Sequence, residues 1–367
     1  MDHCKPKGPL RKGWTTGACA AAAAKAAFRA LLTGEFPDTV SLRLPRGETP
    51  VFGLATRQTG DGWALSGIVK DAGDDPDVTH GAEVQAQVRF GPRGTGITFA
   101  AGEGVGTVTL PGLPLAVGEP AINPAPRRMI EAALAEAAQG TGAEVDVVVT
   151  ISVPGGAKLA EHTLNGRLGI EGGLSILGTT GVVVPYSCAS WIHSIHRGID
   201  VARALGAREI FAATGSTSEQ ALRDMYRPPD HAIIDMGDFA GGLLKYLRKH
   251  PVAALTIGGG FGKLAKLAQG NLDLHSARSR LDMGKLARLA GEGGAEIALI
   301  DLIEQANTGL EALGVSCSAG IDLAGRVAAG AREAALATLA GDTEVRVLVF
   351  DRQGKRVGSA GRTAGHD

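Results

Sequence analysis

The chain has 367 residues, and its balance of 44% hydrophobic and 20% charged residues is typical of a globular protein with a sizeable core. A formal net charge of −1 argues against a nucleic-acid partner, and the lack of any run of about 18 apolar residues argues against a membrane span. Residues 1–5 lack the apolar core of a signal peptide, and the four cysteines lie far apart. We therefore predict a cytoplasmic protein without a disulfide framework, long enough for two domains.

The first half of the chain combines two helix patterns with many short strand patterns. Residues 17–32 are alanine-rich and predict a helix that Thr15 or Thr16 could cap, and residues 123–139 predict a second helix. Apolar runs between Gly, Pro and Asp turns predict a largely antiparallel sheet, with strands at 40–44, 51–56, 63–69, 84–90, 97–100, 106–110 and 144–153. These patterns indicate an N-terminal α+β layered sandwich over residues 1–185.

In the second half, strand and helix patterns alternate. Strands at 209–214, 232–236 and 253–257 follow helices at 189–205, 217–226 and 239–249, which is typical of βαβ crossovers and a parallel sheet. We predict a Rossmann-like α/β domain over residues 186–320, with further helices at 283–289 and 297–305. Residues 321–367 add a helix at 323–339 and a strand at 344–350 that could join either sheet, and we expect residues after 358 to be frayed.

An acidic segment at residues 70–81 is the most unusual feature of the sequence. Within seven positions it holds four aspartates, followed by His80: Asp71, Asp74, Asp75 and Asp77. Carboxylates this close repel one another unless a cation or hydrogen-bond donors compensate them. Three interpretations remain open, namely an acidic turn with Asx caps, a contact to a polar ligand, and a divalent-metal site. The spacing does not fit an EF-hand.

Two glycine-rich segments, at 169–181 and 258–263, and a segment of small hydroxyl residues at 214–219 could present backbone N–H groups to a ligand. The second and third follow predicted strands, where open α/β sheets bind ligands, but a helix cap or a plain turn would give the same patterns. Glycine is also abundant overall, at 54 residues, which close backbone approach to ligands or codon usage would explain. The candidate residues in these segments are Thr179, Thr180, Thr214, Gly215, Ser216, Thr217, Glu219, Gly258, Gly259, Gly260 and Lys263.

Other candidates are more isolated. Arg127 and Arg128 follow Asn123 at the start of a predicted helix, where positive charge opposes the helix dipole. An anionic ligand would explain them, and a solvated pair is the alternative. His193 and His196 lack a nearby third metal ligand, and for Cys19 we favour buried packing over a lowered thiol pKa.

Several segments, taken in order, resemble the CbiD family, the cobalt-precorrin-5B C-1 methyltransferases. The resemblance covers nearly the whole chain and is carried by residues 10–27, 70–81, 102–109, 120–127, 175–181 and 262–268. Departures occur at residues 165–168, 235–239 and 274–282, which leaves details of the second domain open.

The resemblance implies transfer of a methyl group from S-adenosylmethionine to C-1 of a corrinoid, giving cobalt-precorrin-6A and S-adenosylhomocysteine. Cobalt belongs to the substrate, so we predict no protein-held metal. We place the donor on the second domain, through residues 214–219, 258–260 and 172–181, with Glu219 or Asp235 on the ribose. We place the corrinoid on the first domain and predict these substrate-binding residues: Thr15, Thr16, Gly17, Lys70, Glu103, Asn123, Arg127 and Arg128. Asp71, Asp74 and Asp75 are the predicted catalytic residues.

Two other functions remain open at this point. One is a non-catalytic corrinoid carrier, and the other is a nucleotide-dependent transferase that uses residues 258–263. The latter is disfavoured because no Walker serine or threonine follows Lys263. Besides the corrinoid, the partners that we consider are a second copy of the chain and transient contacts with neighbouring enzymes of the pathway.

Overall fold

The computed structural model describes residues 8–361, which form a mixed α/β protein. The chain divides into two compact units, an N-terminal unit up to Cys188 and a C-terminal unit from Ala189. Among the helices of the described residues, none combines the length and apolarity needed to cross a membrane.

The N-terminal unit contains three α-helices and eleven strands within the described residues. The helices are α1 (Thr16–Thr33), α2 (Pro124–Ala138) and α3 (Gly156–Ala160). The strands are β1 (Gly13–Trp14), β2 (Thr39–Ser41), β3 (Val51–Gly53), β4 (Thr56–Gly60), β5 (Trp63–Val69), β6 (Glu83–Phe90), β7 (Ile97–Ala101), β8 (Thr107–Val108), β9 (Val147–Ser152), β10 (Ile170–Glu171) and β11 (Val182–Val183). Both predicted helices are confirmed, and the predicted strand at 51–56 is divided between β3 and β4.

The main sheet of this unit has five strands in the order β4-β5-β6-β9-β7. Its pairs are antiparallel, as predicted, except that β7 runs parallel to β9. Helix α1 packs against β5, β6 and α2. Its alanines are buried, and the hydroxyl of Ser66 on β5 donates to the carbonyl of Ala23, 2.7 Å away. The small side chains therefore let the helix approach both neighbours closely.

The C-terminal unit follows with eight helices and five strands within the described residues. The helices are α4 (Cys188–Ala204), α5 (Ser216–Tyr226), α6 (Ala240–Lys249), α7 (Phe261–Ala268), α8 (Met283–Glu292), α9 (Ile297–Glu304), α10 (Gly309–Ser318) and α11 (Leu323–Leu339). The strands are β12 (Glu209–Ala213), β13 (Ile233–Asp235), β14 (Ala254–Gly260), β15 (Glu344–Phe350) and β16 (Arg356–Ala360). The sequence patterns did not predict α7, α10 or β16.

The sheet of the C-terminal unit has the order β13-β12-β14-β15-β16, with its first four strands parallel and β16 antiparallel to β15. The closing strand β15 pairs with β14, so it joins this sheet and not that of the N-terminal unit. We expected residues after 358 to be frayed, but residues 359 and 360 belong to strand β16, so the expectation is wrong for these two residues. Strand β16 continues there because Gly358, lacking a side chain, lies against the backbone of Ala324 at the start of α11.

The strand order creates a switch in direction within this sheet. From β12 the chain first adds β13 on one side and then returns to add β14 on the other side. In parallel sheets such a reversal leaves a crevice at the carboxyl ends of the two central strands, and ligands bind there. In this unit the crevice lies beyond Ala213 and Gly260, the last residues of β12 and β14.

Candidate functional site

A cavity of about 990 Å³ opens at the carboxyl ends of β12, β14 and β15. Five of the predicted donor-binding residues line it: Thr214, Gly215, Ser216, Thr217 and Gly260. The sheet brings residues 214–217 and Gly260 together because β12 and β14 are direct neighbours, with Ala213 at the end of β12 paired to Gly258, two residues before the end of β14. The interpretation of both segments as walls of one pocket therefore agrees with the geometry.

Four helices begin at this cavity. Gly215 and Gly260 are the N-cap residues of α5 and α7, so neither helix has a capping side chain. Asp282 caps α8 by accepting a hydrogen bond from the N–H of Lys285, and Thr308 caps α10 by accepting one from the N–H of Glu311. Unsatisfied N–H groups and the helix dipole make such termini favourable for anions. The cavity is thus electropositive even before its side chains are considered.

The prediction of a glycine loop at 258–260 is wrong, because these residues continue strand β14. Gly258 and Gly259 are buried in the sheet and pair with Leu348 and Val349. A Cβ atom at Gly259 would lie 2.8 Å from the hydroxyl oxygen of Thr214, so the glycine is needed for packing. Of this segment, only Gly260 lines the cavity.

Other predicted donor residues lie away from this cavity. Glu219 forms an ion pair with Arg223 at 3.1 Å, and Asp235 accepts a hydrogen bond from the N–H of Gly237 at 3.1 Å. Neither side chain lines the cavity. Thr180 belongs to the N-terminal unit, where its hydroxyl bonds to the backbone of Val182.

A second cavity, of about 810 Å³, lies within the N-terminal unit between α2 and the segment at 41–45. Arg128 and Thr179, both predicted to bind ligand, line it together with Arg43, which the sequence analysis did not single out. Glu136 is the acidic residue of its lining, and it is paired with Lys25 at 2.8 Å. No local motif marks Arg43, since it lies in an ordinary strand pattern and meets Arg128 only in the folded unit.

Arg127 bonds to backbone carbonyls of its own unit and does not line either cavity. Its guanidinium donates to the carbonyls of Ile122 and Pro120, pairs with Glu119 at 3.3 Å, and lies over the ring of Phe99. These contacts compensate the arginine at the start of α2 without an anionic ligand, and a ligand at this residue stays a prediction.

Two further predicted substrate residues also bond to the main chain. The amide of Asn123 donates to the carbonyl of Ile176 at 3.2 Å. The carboxylate of Glu103 accepts from the N–H of Gly155 at 3.3 Å.

The start of α1 is covered, which corrects the prediction that residues 15–17 expose N–H groups to the substrate. The N–H of Thr15 donates to Gly181, and the N–H of Gly17 donates to Leu177. Thr16 is 4% exposed, and its hydroxyl bonds to the backbone of Leu177. The segment before β11 therefore satisfies the N–H groups of Thr15 and Gly17.

The acidic segment at residues 70–81, the aspartate loop, is held by backbone and side-chain contacts within the N-terminal unit. Asp71 forms a two-pronged ion pair with Arg11 and accepts from the N–H of Gly73. The hydrogen bond from Arg11, followed by that from Gly73, lowers the pKa of Asp71 to about 2. Asp71 is therefore ionised at neutral pH and cannot donate a proton there.

The other aspartates of the loop have equally definite partners. Asp74 accepts from the N–H of Arg11 at 2.6 Å, and Asp75 accepts from the N–H of Tyr186 at 2.8 Å. Tyr186 has a φ of 57°, a left-handed conformation that is uncommon for a residue with a side chain. Asp75 thus stabilises a strained backbone position, which fits the acidic-turn interpretation better than proton transfer.

Lys70, which is predicted to meet a substrate carboxylate, is buried and already has a partner. Its side chain is 1% exposed, and its ammonium group lies 2.5 Å from the carboxylate of Asp77. Burial alone would raise the pKa of Asp77, but the charge and hydrogen bond of Lys70, with hydrogen bonds from Thr79, lower it. The pair is a structural ion pair beneath the loop.

The candidate metal ligands His193 and His196 and the candidate nucleophile Cys19 form no functional site in the described residues. Across residues 8–361 no group of three His, Cys, Asp or Glu side chains has the proximity of a metal site. Burial raises the pKa of Cys19 to about 12, so buried packing and not a lowered thiol pKa describes it. Burial also lowers the pKa values of His193 and His196, and the ring of His196 stacks on Tyr246 at 4.0 Å.

Comparison with known proteins identifies the family. A family model described as CbiD matches residues 3–185, and one described as the CbiD C-terminal domain matches residues 273–361. A protein of Brucella anthropi named cobalt-precorrin-5B C(1)-methyltransferase is 59% identical, over 96% of both chains. A protein of the same name from Brucella abortus is 59% identical over 95% of both chains.

Among solved structures, the crystal structure of the cobalamin biosynthesis protein cbiD from Archaeoglobus fulgidus is similar. It is 30% identical in sequence, covers 74% of this chain and 84% of its own, and has a TM-score of 0.41. The two family matches together span more than half of the chain, and the relatives match nearly all of it. The chain therefore belongs to the CbiD family.

Proposed function

We infer that the chain is a cobalt-precorrin-5B C(1)-methyltransferase of cobalamin biosynthesis, with cobalt-precorrin-6A as its product. The observation that carries this inference is the 59% identity to curated relatives of that name, over 96% of this chain. Because the match is nearly full-length, it includes both units and both cavities.

The methyl donor that we propose is S-adenosylmethionine. In the reaction a carbon–carbon bond forms at C-1 while the carbon–sulfur bond of the sulfonium breaks, and S-adenosylhomocysteine leaves. The macrocycle's conjugation makes the acceptor carbon nucleophilic, so the protein's contribution is to align carbon, methyl group and sulfur and to exclude water. The cobalt ion enters as part of the substrate.

We place the donor in the cavity of the C-terminal unit. The support is the position of Thr214, Ser216 and Gly260 at the carboxyl ends of parallel strands beside a reversal of strand order, where Rossmann-like domains bind their ligands. The acceptor then binds to the N-terminal unit, where Arg43 and Arg128 line the second cavity. Arginine suits this role because its planar fork matches a carboxylate.

For the aspartate loop we propose a positioning function. Asp71, Asp74 and Asp75 are retained as candidates because the loop belongs to the family resemblance, but each carboxylate already accepts a hydrogen bond from the main chain. The Asp75→Asn variant distinguishes the two roles. A positioning role predicts an altered KM or stability with an unchanged pH profile of kcat, whereas proton transfer predicts that the profile loses a limb.

The direct test is turnover. The protein is incubated with cobalt-precorrin-5B and S-adenosylmethionine carrying a deuterated methyl group, and the corrinoid is analysed by mass spectrometry. The proposal predicts one labelled methyl group per product molecule and an equal amount of S-adenosylhomocysteine. A corrinoid of unchanged mass, together with no calorimetric binding of the donor with or without corrinoid, would favour a non-catalytic carrier.

A further inference from the structure

We propose that the cavity of the C-terminal unit is a carboxylate-binding site and that Arg280 and Arg352 are its anion-binding residues. Both line the cavity, and neither was identified by any sequence motif. The proposal deepens the proposed function, since both reacting molecules of that function carry carboxylates. The observations that support it are the charges and hydrogen bonds of the C-terminal unit alone.

The charge of the cavity wall is unbalanced. Four cationic side chains line it, and one carboxylate accompanies them: Lys263, Lys266, Arg280, Arg352 and Asp351. The carboxylate of Asp351 accepts hydrogen bonds of 2.9 Å from the N–H groups of Gln353 and Lys355 in its own turn, and its single negative charge offsets only one of the four cations. The cavity therefore keeps an excess of positive charge that an anionic ligand would neutralise.

The two lysines differ from the two arginines in how they are held. Lys263 donates to the carbonyl of Thr214 at 2.6 Å and pairs with Asp238 at 3.0 Å, and Lys266 donates to the carbonyl of Leu274 at 2.9 Å. For Arg280 and Arg352 the structure gives no hydrogen bond or ion pair to any residue between 8 and 361. Their guanidinium groups are therefore available to a ligand.

A hydroxyl group faces the same cavity. Thr214 lines it, and within the described part of the chain no hydrogen bond of its side chain to another residue is seen, although its oxygen is open to solvent. A ligand oxygen could bond to this hydroxyl, beside the starts of α5 and α7, which lack a capping side chain.

The chemistry of the wall points to a carboxylate and not to a nucleoside phosphate. No serine or threonine follows Lys263 to hold the magnesium ion that a phosphate chain would bring. Carboxylates occur in the amino-acid part of the donor and in the acid side chains of the corrinoid. A sulfonium would be repelled by the arginines, so a donor in this cavity would turn its carboxylate end toward them.

The experiment compares acidic probes with counterparts that lack the carboxylates. Calorimetry gives the Kd of S-adenosylmethionine and of decarboxylated S-adenosylmethionine for the full chain and for the Arg280→Ala and Arg352→Ala variants. The same variants are titrated with cobyrinic acid and with cobinamide, in which the acid side chains are amides. Arg288→Ala is the matched control, because Arg288 is an exposed arginine of α8 that does not line the cavity.

We expect each cavity variant to bind one of the acidic probes about ten- to a hundredfold more weakly, because a charge-assisted hydrogen bond is lost. Its neutral counterpart and the control variant should be unaffected. An effect confined to S-adenosylmethionine assigns the site to the donor, and an effect confined to cobyrinic acid assigns it to the acceptor. Equal losses for acidic and neutral probes, or no loss for either acidic probe, would overturn the proposal.

The outcome is independent of turnover. If the protein methylates the corrinoid and the arginine variants show no carboxylate-dependent loss, the proposed function stands and the site assignment falls. If binding depends on Arg280 and the carboxylate but no methyl group is transferred, the site stands and the proposed function falls. Because both arginines are exposed, we expect their variants to fold, which a thermal melt checks.

Discussion

Replacing Lys70 tests whether this residue forms a structural ion pair or contacts the substrate. In Lys70→Met the apolar stem is retained, but the carboxylate of Asp77 loses its buried partner. Removing one partner of a buried pair costs about 3–5 kcal/mol. Since Asp77 is 25% exposed and keeps hydrogen bonds from Thr79, we expect the lower end, about 3 kcal/mol.

The assay is urea unfolding of the N-terminal unit, followed by tryptophan fluorescence in a Trp191→Phe background. Trp14 and Trp63 then report on that unit alone, because the chain has three tryptophans. Lys158→Met is the control, since Lys158 is an exposed lysine of the same unit, and it should change the unfolding free energy by less than about 0.5 kcal/mol.

A second variant tests the cause of the loss. In Lys70→Met with Asp77→Asn no unpaired charge remains, so we expect at least about 1 kcal/mol of the lost stability to return. The lowered pKa of Asp77 means that its contribution is present above the unfolded pKa of about 3.9 and is lost as the pH falls below it. Lys70→Met should weaken that acid dependence. Unchanged stability in Lys70→Met, with weaker binding of cobyrinic acid, would refute the buried pairing.

Three further predictions concern Asp71, Cys19 and Gly259. Because Asp71 has a pKa of about 2, Asp71→Asn should leave the pH profile of kcat unchanged between pH 5 and 8. In the unmodified protein, the stability that depends on the charge of Asp71 should be lost only below the unfolded pKa of about 3.9. Cys19, with a pKa of about 12, should resist iodoacetamide at about pH 8, where the exposed Cys317 is alkylated, as mass spectrometry of peptides can show. Gly259→Ala should destabilise by about 1–3 kcal/mol in a thermal melt, because its Cβ would lie 2.8 Å from a side-chain atom, whereas Gly262→Ala, with open space around it, should not.

Each of these predictions has a contradicting outcome. A limb of the kcat profile that disappears in Asp71→Asn would return this carboxylate to acid–base chemistry. Rapid alkylation of Cys19 in the native protein would show that the core around α1 opens. Equal melting temperatures for the two glycine variants would mean that β14 tolerates a side chain, so that the glycines of this strand would have to be explained by a ligand.

Local sequence patterns determined most of the elements and the family. The alanine run of α1, the alternation of strands and helices around β12, β13 and β14, and the ordered family segments all depend on near neighbours in the chain. Strand β16 and the short helices α7 and α10 were missed, because glycine interrupts or begins each of them. Periodicity also could not show that residues 258–260 continue a strand, since glycine favours loops but fits wherever other side chains crowd the backbone.

The partners of the charged residues were decided by the tertiary structure alone. The sequence showed that Arg127 and the aspartates needed compensation, and it offered Lys70 as a substrate contact. It could not distinguish a ligand from Glu119, Arg11 or Asp77, because those partners are set by the folded loops. Conversely, no sequence motif marks Arg280 or Arg352. The fold of the C-terminal unit alone brings both arginines to the wall of one cavity. An isolated charge looks the same in sequence whether it is paired or free, and the distance to its partner, which only folding fixes, decides which it is.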